Sequence, residues 1–421
     1  MEATMVEITR LSNGITVLLE NIDFYSSVSA GIYVNTGSRN ELPQEAGISH
    51  FIEHMLFKGT AARSANDIAR QFDRIGGQAN AYTSKENTVF YAKTMSCHAV
   101  EALDIIADMV MNSKFDKKDI SNEQGVVCEE INMVEDSPDD LVVDRLVESV
   151  WGTVGLGGPI LGTAKAVNSF DKAAILTYMD RRYTTPNLIV SVAGSFDRAD
   201  VMNQLENTLG KILPAAVEAP DVSPIYTKSV ALKEKDIEQN HLCFAFPAYG
   251  RGDPRMRALL VFNSILGDGM SSRLFQRLRE ELGLVYTVSS FVSAHEGAGL
   301  FMIYSAQQKS AEEQAAAVII EELRKFKAEG VTEDDLLLAR EQIKTGLVTG
   351  FESTYSRMGF NARDYMQYGR IRPVEELTAE IDAVDQGAIA AVIDEVIVGE
   401  RLSVSVVGRL SEDGFYRRLL M

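Results

Sequence analysis

Two of the chain's five histidines stand four residues apart in GISHFIEHMLFKGT, with a glutamate between them. On a helix, residues i and i+4 share a face, so His50 and His54 direct two imidazoles at one point and Glu53 sets a carboxylate beside them. A catalytic zinc ion requires this set: two neutral imidazoles, a third protein ligand, an open coordination position, and a carboxylate near the metal but not on it. Zinc held in this way lowers the pKa of its water to about 7, and Glu53 then serves as general base for a hydrolysis. Phe51, Ile52, Met55 and Leu56 are left to pack the helix into apolar surroundings. The competing reading is a pair of structural histidines flanking a glutamate by coincidence.

Two imidazoles alone hold zinc poorly, so a third donor brought in by the fold is expected. In ISNEQGVVCEEINMV, Glu123 and Glu130 are seven residues apart, two helical turns on one face, while Glu129 falls on another. Periodicity does not decide whether Glu130 is a ligand or a solvated charge. Cys97 with His98 is a rival donor pair, but adjacent helical residues diverge by about 100 degrees and rarely converge on one ion.

The elements that must position these residues come in two copies. Residues 171–194 align without a gap on 385–408, at an offset of 214 residues, with nine identical positions that include Asp180 with Asp394, Val190 with Val404 and Gly194 with Gly408. Each copy reads as a helix followed by an apolar strand that ends at a glycine. The stretch 213–226, with three prolines and no periodicity, separates a zinc-binding domain, 1–212, from a degenerate repeat domain, 227–421.

In the first half, residues 14–20 and 27–36 alternate as strands do, and helical patterns follow near 46–58, 64–75, 97–112 and 117–134. The second half repeats the plan, with strands near 228–234 and 240–247 and helices near 253–267, 271–282, 309–329 and 333–350. Strands ahead of helices predict an α+β fold: two similar duplicated domains, each a mainly antiparallel sheet with helices packed on one face. The second half has no H-x-x-E-H, and its equivalent helix reads LLVFNSILGDGMSSR, so one zinc ion per chain is expected.

The 421 residues, 46% hydrophobic and 24% charged, describe a folded chain of more than one domain. A net charge of -19 speaks against nucleic acid or an anionic membrane surface as partner. No stretch approaches the roughly 20 apolar residues of a membrane span, and the first twenty residues lack the pattern of a secretory signal, so a cytoplasmic protein is expected. Cys97, Cys128 and Cys243 are odd in number and widely spaced, which suits a reducing compartment and reads as three buried thiols. The acidic run Glu135, Asp136, Asp139, Asp140 and Asp144 reads first as a solvated helix start rich in Asp, and otherwise as a feature that favours basic residues near the cut.

These motifs together resemble the pitrilysin family of zinc metallopeptidases, in particular its mitochondrial processing peptidase-like bacterial branch. The family's inverted H-x-x-E-H motif matches His50, Glu53 and His54. Its distal ligand matches Glu130, 76 residues after His54 in EQGVVCEEI, and its supporting acid, which orients a metal-bound histidine, matches Glu123. Further matches are GGQANAYTSKENTVFY at 76–91, GGPILGT at 157–163 and SSRLFQRLREELGLVYTVSS at 271–290.

The resemblance implies that Asn80, Ala81 and Tyr82 lie on an edge strand that binds a peptide by strand addition, and that Arg279 and Tyr286 assist at the scissile carbonyl. Read without it, Asn80 is a turn residue, and Arg279 and Tyr286 serve salt bridging and packing. It also implies an endopeptidase for short or unstructured peptides, working in an enclosed chamber. In two-domain members the arginine and tyrosine come from the partner chain, so a homodimer with composite sites is expected. The other arrangements the family offers are a heterodimer with an inactive homologue and a non-catalytic core or partner subunit.

Overall fold

A computed structural model describes residues 5–214 and 224–419, so residues 215–223 of the expected linker lie outside the described residues. The chain forms two compact units, each discontinuous in sequence. One comprises Met1–Asn132, Val154–Val222 and Thr349–Arg372; the other comprises Met133–Thr153, Ser223–Val348 and Pro373–Met421.

The first unit holds a six-stranded sheet of β1 (Glu7–Arg10), β2 (Thr16–Asn21), β3 (Ser27–Val34), β4 (Gln78–Thr83), β5 (Thr88–Met95) and β6 (Leu188–Gly194), in the order β1-β2-β6-β3-β5-β4. Only β2 and β6 run parallel; every other pairing is antiparallel. β6 (LIVSVAG) is buried along its whole length, as a continuous apolar run at the centre of a sheet should be. β4 pairs on one side only and forms an edge.

The second unit holds β7 (Val230–Glu234), β8 (Gln239–Ala248), β9 (Val285–His295), β10 (Ala298–Gln308) and β11 (Ser403–Gly408), in the order β7-β11-β8-β10-β9. This repeats the order β2-β6-β3-β5-β4, with β7 and β11 again the parallel pair. The 214-residue repeat falls on matching pieces. Helix Lys172–Arg182 leads to β6 and helix Gln386–Val396 leads to β11. Asp171 and Asp385 cap these helices by accepting the N–H of Ala174 and Ala388 at 2.8 and 2.7 Å. Both strands end on glycines in the left-handed region, Gly194 at φ 125° and Gly408 at φ 145°.

One face of the first sheet carries the main core, where Phe51, Ile52 and Met55 of the helix Ile48–Leu56 meet Ile32, Val34 and Phe90 of the sheet. The other face is crossed by the helix Thr354–Tyr368, which comes from the second half of the chain. Met358 and Ala362 pack there against Leu18, Tyr33, Val89 and Ile189. Buried Glu20 pins that helix by accepting from Asn361 Nδ2 at 2.8 Å and by pairing with Arg357. Helix Pro138–Trp151, from the first half, packs in turn on β7, β8 and β11 of the second sheet. The compact units thus depart from the contiguous division at 213–226, because each half of the chain supplies the helix that covers the outer face of the other unit's sheet.

The cysteines correct the expectation of three buried thiols. Cys243 is buried in β8, but Cys97 is exposed on the turn after β5 and Cys128 is half-buried on helix Lys117–Asp136; none is in a disulfide. Among the described residues no helix is long and apolar enough to cross a membrane.

Candidate metal centre

The helix Ile48–Leu56 buries Ile48, Ser49, Phe51, Ile52, Met55 and Leu56 and leaves His50, Glu53 and His54 half-exposed on the opposite stripe. Its N-terminus is fixed from outside the helix. The buried carboxylate of Glu41 accepts the N–H of Gly47 at 2.7 Å and of Ser49 at 2.8 Å, taking up donors that a helix start leaves unpaired. Burial pushes the Glu41 carboxyl up to about 7 against the pull of these bonds. Gly47 has φ 92° and packs on Gly162, φ 71°, so closely that a methyl on Gly162 would collide with the Ala46 carbonyl. The stretch GGPILGT therefore braces the helix that carries the histidines.

Helix Lys117–Asp136 brings Glu130 against that stripe. Glu130 Oε2 lies 3.7 Å from His50 Nε2 and 3.5 Å from His54 Nε2, and one donor atom from each of the three residues falls within 4.8 Å of the others. Donors about 2.0–2.2 Å from a tetrahedral ion stand roughly 3.3–3.5 Å apart, so two imidazoles and a carboxylate at these separations fit one zinc ion. Two turns earlier on the same helix, buried Glu123 accepts from His54 Nδ1 at 2.8 Å. That bond leaves the His54 Nε2 lone pair for a metal, and Lys58 holds the other Glu123 oxygen at 2.7 Å.

Burial above all, then the neighbouring His54, holds His50 down to about 4, so it is neutral at pH 7. Burial lowers His54 too, but Glu123, Glu130 and Glu53 outweigh it and its pKa ends above the ordinary value. Glu53 is no part of the donor trio. Its Oε2 accepts the hydroxyl of Thr83 at 2.6 Å, and burial raises its carboxyl although Thr83 and His54 pull it back. Thr83 closes β4, the edge strand that carries Asn80, Ala81 and Tyr82. The Ala81 N–H donates to Asn80 Oδ1 at 2.8 Å.

Arg279 and Tyr286 lie together in the second unit, Arg279 in the π-helical turn Phe275–Glu281 and Tyr286 near the start of β9. The Arg279 guanidinium stands 5.3 Å from the Tyr286 ring and 4.8 Å from that of Phe275, and Tyr286 is 69% exposed. Exposure of that extent argues against a packing role for the tyrosine. The rival donor His98 stands 3.8 Å from Glu101, outside the trio. In the acidic run, Glu135 and Asp136 face Lys233 and Lys235 at 3.8 and 3.5 Å, and Ser137 donates to Asp139 and Asp140. Lys58, Thr83 and Glu41 were not anticipated from sequence. Lys58 carried a usable signal, since it follows His54 by four residues.

Residues 16–164 match the family described as insulinase (peptidase family M16), and residues 169–343 match the peptidase M16 inactive domain. An uncharacterized zinc protease of Bacillus subtilis, YmxG, is 40% identical over 384 residues, 90% of this chain and 93% of the relative. The chain belongs to peptidase family M16. A further family member, an uncharacterized zinc protease of Streptomyces coelicolor, is 34% identical over 96% of this chain and 90% of its own length. The M16 fold is equally plain in solved structures. A protease from Helicobacter pylori superposes with TM-score 0.89 at 20% identity, over 96% of this chain and 99% of that one. A chain of complex III2 from Candida albicans does so with TM-score 0.86 at 20% identity, over 99% of each. The family membership accords with the pitrilysin-type resemblance, with a zinc protease, and with the two-domain α+β architecture.

Proposed function

We propose that the chain is a zinc-dependent endopeptidase of short or unstructured peptides, with one zinc ion held by His50, His54 and Glu130. One observation carries the reading: Thr83 joins the free edge of β4 to Glu53 by a single hydrogen bond, so the strand that can receive a peptide also holds the carboxylate beside the donor trio. Zinc, when bound, supplies a Lewis acid for the scissile carbonyl and a water of lowered pKa. The chain's own residues do the rest. Asn80, Ala81 and Tyr82 bind the peptide main chain as an added strand, which gives affinity with little demand on sequence. Glu53 takes the proton of the attacking water and returns it to the leaving amine. Glu123, held by Lys58, keeps His54 in its ligating tautomer.

Arg279 and Tyr286 steady the developing oxyanion, in a homodimer whose two sites each draw this pair from the partner chain. Mixing Glu53→Gln and Tyr286→Phe chains tests that arrangement: each mutant alone is nearly inactive, each mixed dimer has one intact site of two, and a randomly assorted equal mixture, about half of it mixed dimers, regains about a quarter of wild-type activity. No recovery from properly folded mixed dimers would reject composite sites. Wild-type chains active only with a second, different chain would point to a heterodimer with an inactive homologue.

An enclosed chamber selects by unfolded conformation. A cleavable sequence is therefore turned over as a free peptide and resists cleavage when embedded in a folded domain; equal rates for both would refute the chamber. The setting we propose is the cytoplasm, a reducing compartment that suits cysteines outside disulfides. A non-catalytic subunit, the other role this fold serves, has no need of the full donor trio with a carboxylate beside it.

A further inference from the structure

Successive residues of β4 face opposite sides of the first sheet. Ala79 and Ala81 pack into the core that contains the motif helix, while Tyr82 packs on the other face, with the cluster around Met358 and Ala362. A peptide added to β4 alternates in the same way. Half of its side chains point toward Glu53 and the histidines, and the other half point to the side covered by helix Thr354–Tyr368.

That second side has a defined chemistry. Tyr82 on β4 and Tyr91 on β5 stand 6.5 Å apart edge to face, and Tyr91 stands 4.8 Å from Tyr355 of the covering helix. Tyr355, Gly359 and Arg363 follow one another at i, i+4 and i+8 on that helix. The Arg363 side chain folds back over Gly359, where the nearest atoms a Cβ would meet belong to the guanidinium. Burial raises the Tyr82 hydroxyl above its ordinary value, although the positive charge of Arg363 pulls it back. Arg363 is exposed, and no carboxylate among the described residues pairs with it, although the chain carries a net charge of -19. On a chain with 60 acidic side chains, an arginine whose neighbours are tyrosines is a cation kept available.

We propose that Arg363, with Tyr82 and Tyr355, forms a subsite that takes a carboxylate of a peptide laid along β4, at the positions facing away from Glu53. The guanidinium supplies the charge and the planar donor fork, and the tyrosines stand beside it. The carboxylate is an acidic side chain or the peptide's own C-terminus. The proposal deepens the peptidase reading by giving the edge strand a register-dependent preference, and it rests on peptide binding at β4.

Binding to the Glu53→Gln chain with zinc bound tests it, using fluorescein-labelled unstructured peptides of one length. A single Glu, Gln or Lys is stepped along each peptide, and each is made with a free and an amidated C-terminus. Glu should bind about fivefold more tightly than Gln at alternate positions only, and that ratio should fall to one in Arg363→Ala. In Arg363→Glu the preference should pass to Lys. If free and amidated peptides differ where Glu and Gln do not, the carboxylate is the C-terminal one.

Equal binding of Glu, Gln and Lys peptides at every position and terminus overturns the subsite, as does a Glu preference that survives Arg363→Ala. Cleavage by the wild type is followed on the same peptides. Glu, Gln and Lys peptides cleaved alike at every position, with and without amidation, remove the subsite and leave the peptidase reading intact. A binding preference without cleavage of any peptide keeps the subsite and removes the peptidase reading.

Discussion

Replacing Glu53 with glutamine lowers kcat for peptide cleavage by about 10²–10⁴-fold and leaves the bound zinc in place. The two halves of this expectation come from separate observations. The donor atoms that could hold a metal ion belong to His50, His54 and Glu130, so bound zinc should not depend on Glu53. Glutamine has the shape of glutamate and its amide oxygen still accepts the Thr83 hydroxyl, so β4 and the motif helix stay joined. What is lost is the capacity to take a proton. Burial already raises the Glu53 carboxyl from its ordinary value, which makes it a stronger base than an exposed glutamate. Metal analysis beside steady-state kinetics checks both halves, and a variant that loses its zinc would mean that Glu53 holds the ion.

Glu130→Ala removes the third donor and lowers zinc affinity by more than about 100-fold, beyond the 10–100-fold usual for a residue that only orients a ligand. Glu123→Gln belongs to that milder class, because it weakens the orientation of His54 and leaves all three donors. The ordering Glu130→Ala, then Glu123→Gln, then wild type is read by competition against a zinc chelator. Glu129→Ala is the control: it neighbours Glu130 but is exposed, outside the trio, and should bind zinc as the wild type does. Glu130 is itself partly exposed, with 35% of its side chain open, so its loss should not unfold the zinc-free chain. Equal zinc affinity in Glu130→Ala and Glu129→Ala would remove Glu130 from the site.

The part of this site that one helix determines was legible in the sequence. His50 and His54 at i and i+4 meet because the helix makes them meet, and Phe51, Ile52, Met55 and Leu56 fix which face turns outward. Glu130 was not legible on the same terms. Its role depends on how closely helix Lys117–Asp136 approaches the motif helix, and heptad spacing alone gives Glu123 and Glu130 equal claim. The structure separates them, since Glu130 reaches both Nε2 atoms and Glu123 reaches the Nδ1 atom of His54.

The repeat was legible because helix, strand and terminal glycine recur at one offset, and the two sheets share their strand order as a result. The exchanged helices were not. The apolar stripe of Pro138–Trp151 shows that the helix is covered, but nothing in the stripe states which sheet covers it. Thr83 stayed hidden for a related reason: its partner Glu53 is thirty residues away and meets it only through packing of β4 on the motif helix.

Whether the chain is a zinc-dependent peptidase built on His50, Glu53, His54 and Glu130 is decided by stripping it of metal and titrating zinc back while cleavage of an unstructured peptide is followed. Cleavage should disappear with the metal, rise in proportion to added zinc and level off at one zinc ion per chain. Cleavage that persists in the stripped chain, or a chain that takes up no zinc and cleaves nothing, would contradict that reading.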